Sequence, residues 1–203
     1  MDQRLGDLLQ AARRRLGVGA WSREYFERRF AQRDPWSYET SSYERAKYAR
    51  TMEMIPWVAG ARTLEVGCAE GVFTALLAQN GGEVLAVDIC ARALARAEKR
   101  CAELSTVTFA RLDIASERID GGFDVILCAE VLYYLHRRGL LRARDCLVAA
   151  LKPGGHIALV NPVADAERIH PVFLLHPSLR VDKERTCSDC NRRYTITVFK
   201  KTS

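Results

Sequence analysis

Residues 64–71, Leu-Glu-Val-Gly-Cys-Ala-Glu-Gly, have the pattern of a buried strand that enters a tight glycine turn, and the turn opens a helix. Asp88 closes the next apolar run along the chain. Glycines in such a turn let the backbone approach a ligand closely, and a carboxylate at the end of the second strand can accept hydrogen bonds from two ribose hydroxyls. The pattern therefore predicts a cofactor that contains a nucleoside.

The glycine spacing argues against a dinucleotide cofactor, and so against a nicotinamide-dependent oxidoreductase. A pyrophosphate-binding turn has the pattern Gly-x-Gly-x-x-Gly. Counted from Gly67, the next two glycines would fall where the chain has Ala69 and Val72. Glu65 precedes the turn, where a carboxylate would repel a phosphate but suit a cation. S-adenosyl-L-methionine has a nucleoside, a sulfonium, an ammonium and no phosphate, which makes it the expected cofactor, although a glycine turn alone fits an unrelated α/β protein equally well.

The order of the predicted elements indicates an α/β fold. Strands are predicted at residues 63–66, 84–87, 107–111, 123–128 and 156–160, and helices at 72–79, 91–104 and 137–151. Continuous apolar strands separated by helices are typical of a doubly wound, mostly parallel, Rossmann-like sheet with helices on both faces. Residues 192–200 alternate between apolar and polar and predict an antiparallel C-terminal edge strand.

The segment before the sheet is predicted to be helical. Apolar residues recur at helical spacing over residues 5–16, a second helix is expected from Trp21 to Phe30, and a third follows Ser41 and ends at about Ile55, before Pro56. Ser41 and Glu44 have the spacing of a capping box. We therefore predict an N-terminal helical extension or lid over residues 1–56 and one globular α/β domain over residues 57–203.

Composition and cysteine use favour a cytoplasmic protein with one core. Of 203 residues, 48% are hydrophobic, and no apolar run is long enough to span a membrane. Five of the seven cysteines lie singly in apolar or helical surroundings, as is usual for reduced thiols. Cys187 and Cys190 form one Cys-x-x-Cys pair without a second pair, so no metal is expected. The net charge of +6 permits an acidic partner, but its arginines are spread along helices, which favours solvated helix faces over a nucleic-acid partner.

Five motifs in the expected order make the chain resemble the class I S-adenosylmethionine-dependent methyltransferases. They are the glycine turn at 64–71, Val-Leu-Ala-Val-Asp at 84–88, Asp113-Ile114, Phe-Asp-Val-Ile-Leu-Cys-Ala-Glu-Val-Leu-Tyr-Tyr-Leu at 123–135 and Leu-Lys-Pro-Gly-Gly-His at 151–156. The resemblance implies an enzyme that uses S-adenosyl-L-methionine and releases S-adenosyl-L-homocysteine.

A closer resemblance is to the NodS-like methyltransferases, the nodulation N-methyltransferase family. It is carried by Asp-Pro-Trp-Ser-Tyr-Glu-Thr-Ser-Ser-Tyr-Glu at 34–44, Gly-Cys-Ala at 67–69 and Ala-Glu-Val-Leu-Tyr-Tyr-Leu at 129–135. Ala69, where many class I enzymes have a second glycine, is shared with this family. The resemblance implies a small-molecule acceptor, namely an amino sugar such as the de-N-acetylated glucosamine of a chitin oligomer.

The resemblance assigns a cofactor contact to residues at the strand ends. Glu65 is expected to receive the ammonium, Asp88 the ribose hydroxyls and Asp113 the adenine amine. The turn backbone is expected to pass under the cofactor, Ile89 to pack on the adenine, the N–H of Ile114 to meet a ring nitrogen and Ala129 to lie beside the sulfonium. The cofactor-binding set also includes Gly67, Cys68 and Gly71 of the turn and Trp36, Tyr38 and Tyr43 of the lid. Tyr38 or Tyr43 is expected to donate a hydrogen bond to the methionine carboxylate.

The catalytic candidates follow the fourth strand. An amine acceptor must be unprotonated and a hydroxyl acceptor needs a base, so His136, Glu130 and Tyr134 are the predicted catalytic residues. Tyr133 and His170 are further candidates.

Three other functions stay open on the sequence alone. O-methylation of a small hydroxylated metabolite is not separated from N-methylation by the fourth-strand motif. A nucleic-acid methyltransferase usually carries Asn/Asp-Pro-Pro-Tyr/Phe after this strand, where the chain has Cys-Ala-Glu-Val at 128–131. A regulatory module that binds a nucleoside without turnover is the third.

Overall fold

The computed structural model describes residues 21–188 and 192–202, and these form a seven-stranded sheet with helices on both faces. The strand order is β3-β2-β1-β4-β5-β7-β6. The strands are β1 (Thr63–Val66), β2 (Val84–Asp88), β3 (Val107–Arg111), β4 (Phe123–Ala129), β5 (Leu151–Pro162), β6 (Leu179–Cys187) and β7 (Tyr194–Lys201). The first five strands run parallel, and β7 runs antiparallel to both β5 and β6, so the predicted fold class is confirmed.

Six α-helices lie in these described residues. They are α1 (Arg23–Arg29), α2 (Ser42–Met54), α3 (Val72–Leu77), α4 (Ala91–Arg100), α5 (Arg137–Ala150) and α6 (Val163–Leu174). The central strand β4 shows how they divide the core, because alternate side chains of a strand point to opposite faces. Ile126 packs in the cluster that contains α5 and α6, whereas Leu127 packs in the cluster that contains α2 and α3.

The C-terminal part of the sheet differs in detail from the sequence analysis. The predicted C-terminal antiparallel strand is β7, but it lies one position inside the edge, because β6 pairs along its outer side. Strand β6 was not predicted, since seven of its nine residues are exposed and its sequence is rich in charge. Exposed charged residues are common on edge strands, which gain no core burial, and they hide the strand from a search for apolar runs.

The start of β5 also differs. Residues 152–155 were expected to form a turn, yet β5 begins at Leu151. Its register against β4 changes from Phe123–Leu151 to Val125–His156, so Lys-Pro-Gly-Gly is an irregularity within the strand. Gly154 has a φ of +78° there. A bulge and a turn use the same residue types, and the sequence alone does not distinguish them.

The N-terminal elements pack directly on the α/β core. Helix α2 begins after Ser41, whose hydroxyl accepts from the N–H of Glu44 at 3.3 Å. Its Tyr48 stacks on Phe73 of α3, with ring centroids 4.4 Å apart. The predicted helix over residues 5–16 lies outside the described residues, and the predicted division at residue 56 stays a prediction. Within the part of the chain that the structure describes, no helix is long and apolar enough to cross a membrane.

Candidate functional site

A cavity lies at the carboxyl ends of β1 to β4, under α1 and the segment of residues 31–40. This is the edge of a parallel sheet where ligands bind in doubly wound folds. Twelve of the fifteen predicted site residues line it, namely Trp36, Tyr38, Glu65, Gly67, Cys68, Asp88, Ile89, Asp113, Ile114, Ala129, Glu130 and Tyr134. The three that do not line it are Tyr43, Gly71 and His136.

Asp88 fixes the glycine turn from the neighbouring strand. Its Oδ2 accepts from the N–H of Ala69 and its Oδ1 from the N–H of Cys90, both at 2.9 Å. Burial raises the pKa of Asp88, and these backbone donors act in the opposite direction. The carboxylate thus joins the turn to the start of α4, and its remaining lone pairs are available to a ligand in the cavity.

Gly67 is required by close packing as well as by its backbone angle. Its φ is +78°, and a Cβ built there would lie 2.7 Å from Cγ2 of Val131. Any larger residue would push against Val131, in the segment after β4, which also lines the cavity. The glycine therefore lets the turn and the segment after β4 lie in direct contact at the cavity.

Glu65 is a buried carboxylate whose side-chain partner is a hydroxyl. The side chain is 4% exposed and accepts from the hydroxyl of Thr74 at 2.5 Å. Burial raises its pKa to about 7; the Thr74 hydrogen bond opposes the rise and the charge of Asp88 adds to it. A cationic ligand beside this group would stabilise its ionised form.

Aromatic side chains of Trp21 and of Phe26 in α1 line the cavity and pack against Tyr134. Trp21 donates its backbone N–H to the carbonyl of Tyr134 at 3.1 Å, and its ring meets that of Tyr134 edge-on at 5.0 Å. Phe26 contacts the same tyrosine ring at 5.0 Å. Glu27 accepts from the N–H of Ala91 at 2.8 Å and so attaches α1 to the first turn of α4. These contacts attach the first described residues and α1 to the rim of the cavity.

The segment of residues 31–40 is held by Glu70, a residue that the sequence analysis did not assign. Glu70 is buried, accepts from the N–H of Asp34 at 3.1 Å, and forms an ion pair with Arg96 of α4. Asp34 in turn accepts from the N–H of Tyr38 at 2.6 Å. The chain places Trp36 and Tyr38 on the cavity through this connection. Glu70 lies within the glycine-turn motif, but the motif assigned it no role, because its partners Asp34 and Arg96 are distant in the chain.

A second buried charged cluster lies where β4 ends. Lys47 of α2 places its Nζ 2.9 Å from Oε2 of Glu44 and 3.1 Å from Oε1 of Glu130. Glu44 and Lys47 were not predicted as site residues. The capping-box pattern gave Glu44 a role at the start of the helix, so Glu44 was not predicted as a site residue. Ser41 does cap the helix, but the Glu44 side chain lines the cavity and pairs with Lys47.

Asp113 lines the cavity, and its carboxylate already accepts hydrogen bonds from the turn that follows it. Its Oδ1 accepts from the N–H of Ala115 at 2.9 Å and its Oδ2 from the hydroxyl of Ser116 at 2.8 Å. The predicted contact with an adenine amine would therefore use the lone pairs that these donors leave. Buried Ile114 beside it lines the same wall.

Gly71 serves helix packing in this structure. Its φ is +77°, and a Cβ there would lie 2.9 Å from Cβ and 3.0 Å from Cα of Ala97 on α4. The glycine thus lets α4 approach the start of α3, and it does not line the cavity. Tyr43 likewise points elsewhere, edge-on to Tyr194 at 5.7 Å, with Nζ of Lys47 5.0 Å from the centre of its ring.

We expect Gly71→Ala to lower the free energy of unfolding by about 1–3 kcal/mol more than Gly81→Ala does, because the added methyl overpacks the contact with Ala97. Gly81 is a matched control, since its φ is also +77° and a Cβ added there would have no neighbouring atom within 4 Å. Urea unfolding of both variants measures the difference. Equal losses would contradict the packing role and leave only backbone strain.

His136 is a helix cap in this structure. It precedes α5, is exposed, and its Nδ1 accepts from the N–H of Gly139 at 2.7 Å. His170, a further candidate for the base, is buried away from the cavity, with its ring nitrogens 2.7 Å from Oγ1 of Thr197 and 3.1 Å from Oδ1 of Asn161. Burial lowers the pKa of His170 to about 4. Neither histidine reaches the predicted site.

We expect His136→Ala to lower the free energy of unfolding by about 1 kcal/mol, the usual cost of losing a helix cap, without slowing the methyl transfer that the sequence resemblance implies. His136→Asn keeps a cap acceptor and should retain most of the stability. Urea unfolding, with a methyl-transfer assay on the same samples, measures both effects. A loss of turnover in the alanine and the asparagine variants alike would restore the histidine as a catalytic candidate.

The structure shows no group suited to a metal ion within its described residues, where three or more histidine, cysteine or acidic side chains would have to converge. Cys187 is a buried free thiol of β6. Cys190 lies outside the described residues.

The sequence matches the family model described as Nodulation protein S (NodS) over residues 19–166. The chain is 33% identical to Nodulation protein S of Sinorhizobium fredii over 138 residues, which cover 67% of this chain and 64% of that protein. It is 37% identical to Nodulation protein S of Bradyrhizobium diazoefficiens over 113 residues, which cover 55% of this chain and 54% of that protein. The matched part thus spans less than two thirds of these relatives.

The structure is similar to the crystal structure of N-methyltransferase NodS from Bradyrhizobium japonicum WM9 in complex with S-adenosyl-L-homocysteine. The TM-score is 0.81 at 27% identity, and the match covers 89% of this chain and 98% of that chain. It is also similar to a TehB-like SAM-dependent methyltransferase from Corynebacterium glutamicum, with a TM-score of 0.66 at 18% identity over 89% of this chain and 98% of that chain. At this identity the second likeness shows the fold alone.

Proposed function

The chain belongs to the NodS family, as the sequence resemblance indicated, and we propose that it is a methyltransferase that moves the methyl group of S-adenosyl-L-methionine to the amino group of a small molecule. The observation that carries the proposal is the charge of the cavity. Most of the acidic and basic side chains that line the cavity are carboxylates, and Lys47 is the lysine that lines it with them. The carboxylates are those of Glu44, Glu65, Glu70, Asp88, Asp113 and Glu130. Such a cavity attracts a sulfonium cofactor and an amine acceptor alike.

The residues present fit the cofactor. Asp88 stands at the end of β2, where its carboxylate can accept from two ribose hydroxyls, and Glu65 is a buried carboxylate suited to an ammonium. Gly67 has no side chain, so the backbone of the turn itself lines the cavity beside Val131. The similar NodS crystal structure contains S-adenosyl-L-homocysteine, the product form of this cofactor. When bound, the cofactor supplies a methyl group on a positively charged sulfur, which is a good leaving group.

The protein's part in the reaction is to orient the acceptor and to exclude water. Ala129 ends β4 and Glu130 follows it; both line the cavity, and we place the meeting of acceptor and methyl group beside them. The rings of Trp21, Phe26 and Tyr134 line the same cavity, and holding acceptor and methyl in line within such a space can supply much of the rate. Tyr38 also lines the cavity, and burial raises the pKa of its hydroxyl well above the usual value. The hydroxyl therefore keeps its proton and can donate a hydrogen bond.

An amine acceptor fits better than a hydroxyl acceptor. A hydroxyl must lose its proton to a base as it attacks, and both histidines considered for that role lie outside the cavity. An amine that arrives as an ammonium can lose its proton to a carboxylate or to water beforehand, and the neutral amine then needs no base during the attack. O-methylation stays the second candidate because Glu130 lines the cavity and carries a carboxylate.

The test is methyl transfer from radiolabelled S-adenosyl-L-methionine to a glucosamine tetramer, with the N-acetylated tetramer as the matched control. The two acceptors differ at the amino groups and share the hydroxyls. We expect transfer to the first alone. Equal transfer to both would indicate hydroxyl methylation, and failure of the folded protein to bind S-adenosyl-L-homocysteine in a calorimetric titration would refute the methyltransferase assignment.

A cytoplasmic location is part of the proposal. Cys68, Cys90, Cys101 and Cys128 are buried free thiols. Several unpaired cysteines in one core are usual where the surroundings keep thiols reduced.

A further inference from the structure

The buried charged cluster of Glu44, Lys47 and Glu130 has a role that the methyltransferase assignment does not itself explain. Resting on the proposed amine methylation, we propose that Glu44 and Glu130 bind the amino group of the acceptor, and that Lys47 is the positioning residue that holds both carboxylates and moderates their charge. The three residues come from two parts of the fold, α2 and the end of β4, and all three line the cavity.

The burial of the cluster is the first observation. Glu44 is 6% exposed and Lys47 is 2% exposed. Removing such charges from water costs several kcal/mol per ion, and a buried ion pair often contributes less stability than apolar residues of the same size. Ionic groups at this position therefore need a reason other than stability, and a charged ligand supplies one.

The pairing within the cluster is the second observation. Nζ of Lys47 lies 2.9 Å from Oε2 of Glu44 and 3.1 Å from Oε1 of Glu130. One ammonium thus faces two carboxylates, which leaves the cluster with an excess of negative charge. The N–H groups of an acceptor amine are donors of the kind that such a charge attracts.

The backbone of Glu130 is the third observation. Its φ is +58°, a left-handed conformation that costs free energy in a residue with a side chain. Its N–H donates to the carbonyl of Val160 at 2.8 Å, which fixes this conformation at the junction of β4 and β5. In this conformation the carboxylate of Glu130 lies 3.1 Å from Nζ of Lys47, at the strand end next to Ala129.

The charge count explains why a lysine belongs between the two carboxylates. Two ionised carboxylates alone would bind an ammonium tightly and keep it protonated, and a protonated amine has no lone pair with which to attack. The ammonium of Lys47 repels a second ammonium at close range, which weakens the charged form of the acceptor relative to the neutral form. The cluster still carries one excess negative charge, enough to attract the acceptor from water.

The chemical step conserves atoms and charge. The acceptor ammonium gives one proton to the carboxylate of Glu130, and the freed lone pair of the nitrogen forms the new bond to the methyl carbon. The bond between that carbon and sulfur breaks, and its electron pair stays on sulfur as a neutral thioether. The methylated product carries the positive charge and leaves as an ammonium, and Glu130 returns its proton to water.

The experiment is a calorimetric titration of glucosamine tetramer into protein saturated with S-adenosyl-L-homocysteine, with single-turnover methylation of the same tetramer measured in parallel. The variants are Glu44→Gln and Lys47→Gln, both of which keep hydrogen-bonding groups in place. Glu53→Gln is the control, since Glu53 is exposed on the same helix. We expect Glu44→Gln to weaken tetramer binding at least about tenfold, as the loss of one charge-assisted hydrogen bond implies, with affinity for S-adenosyl-L-homocysteine unchanged.

The lysine variant should change tetramer affinity in the opposite direction to Glu44→Gln. Lys47→Gln should bind the tetramer more tightly than the wild type and methylate it at least about tenfold more slowly, because the bound amine stays protonated. A merely structural lysine would instead weaken the binding of both ligands, and that result would overturn the proposal. If this variant does not fold, the comparison of Glu44→Gln with Glu53→Gln decides, and equal tetramer affinities would overturn it.

The amine-binding role of the cluster and the methyltransferase assignment fail separately. Wild-type protein that binds S-adenosyl-L-homocysteine but not the tetramer would overturn the amine-binding cluster and leave the methyltransferase assignment intact. Protein that binds neither would overturn the proposed function, and this inference with it.

Discussion

Asp88→Asn is expected to weaken the binding of S-adenosyl-L-homocysteine by about 100-fold, since two charge-assisted hydrogen bonds to the ribose would be lost. The side chain also holds the N–H groups of Ala69 and Cys90, and an amide places a donor against one of them. The glycine turn should therefore lose part of its shape together with the ligand contact. Isothermal titration of the ligand into wild type and variant measures the effect.

Asp120→Asn is the matched control for this prediction, because Asp120 is exposed between β3 and β4 and does not line the cavity. Urea unfolding of both variants separates damage to the turn from loss of the ribose contact. An affinity for Asp88→Asn within about threefold of the wild type, below 1 kcal/mol, would show that the carboxylate supports the turn and does not bind the ribose.

The residues at the strand ends were predictable because local pattern and topology agree there. Gly67, Asp88 and Asp113 each follow an apolar run, and parallel strands bring all their carboxyl ends to one edge. The structure places all three on one cavity. The family resemblance and the fold drawn from the same motifs are confirmed by the family match and by the sheet order.

Residues that depend on distant partners could not be predicted in this way. Lys47 pairs with Glu130, 83 positions along the chain, and Glu70 meets the backbone of Asp34, 36 positions away. A lysine on a helix has the same local pattern whether it faces water or a buried carboxylate. At Gly71 the motif predicted a ligand contact, and the tertiary structure shows a packing contact. A Cβ added to Gly71 would lie against Ala97.

The second large effect is expected at Glu65, because ionisation of this carboxyl favours binding of the ligand but lowers the stability of the fold. Burial raises its pKa to about 7 from an ordinary value of 4.5. The folded state therefore binds a proton that the unfolded state has released, and this carboxyl makes the protein less stable as the pH rises from about 4.5 through about 7. Above that range the ionised group costs about 3 kcal/mol.

Glu65→Gln should remove this cost. At pH 8 we expect the variant to exceed the wild type by about 3 kcal/mol in free energy of unfolding, and at pH 4 the two should be nearly equal. Urea unfolding at both pH values measures the change. Glu98→Gln is the control, because Glu98 is exposed on α4, and its stability should follow the wild type at each pH.

The same substitution should cost affinity, because the ligand's ammonium would lose its ionised partner. In the wild type the ammonium favours the charged carboxylate, so binding of S-adenosyl-L-homocysteine should release protons near pH 7 and tighten as the pH rises through that range. Titrations in two buffers of different ionisation enthalpy measure the release. Glu65→Gln should bind at least about tenfold more weakly and release fewer protons. A variant that gains stability at pH 8 yet keeps full affinity would show that Glu65 is a buried carboxyl that the ligand never contacts.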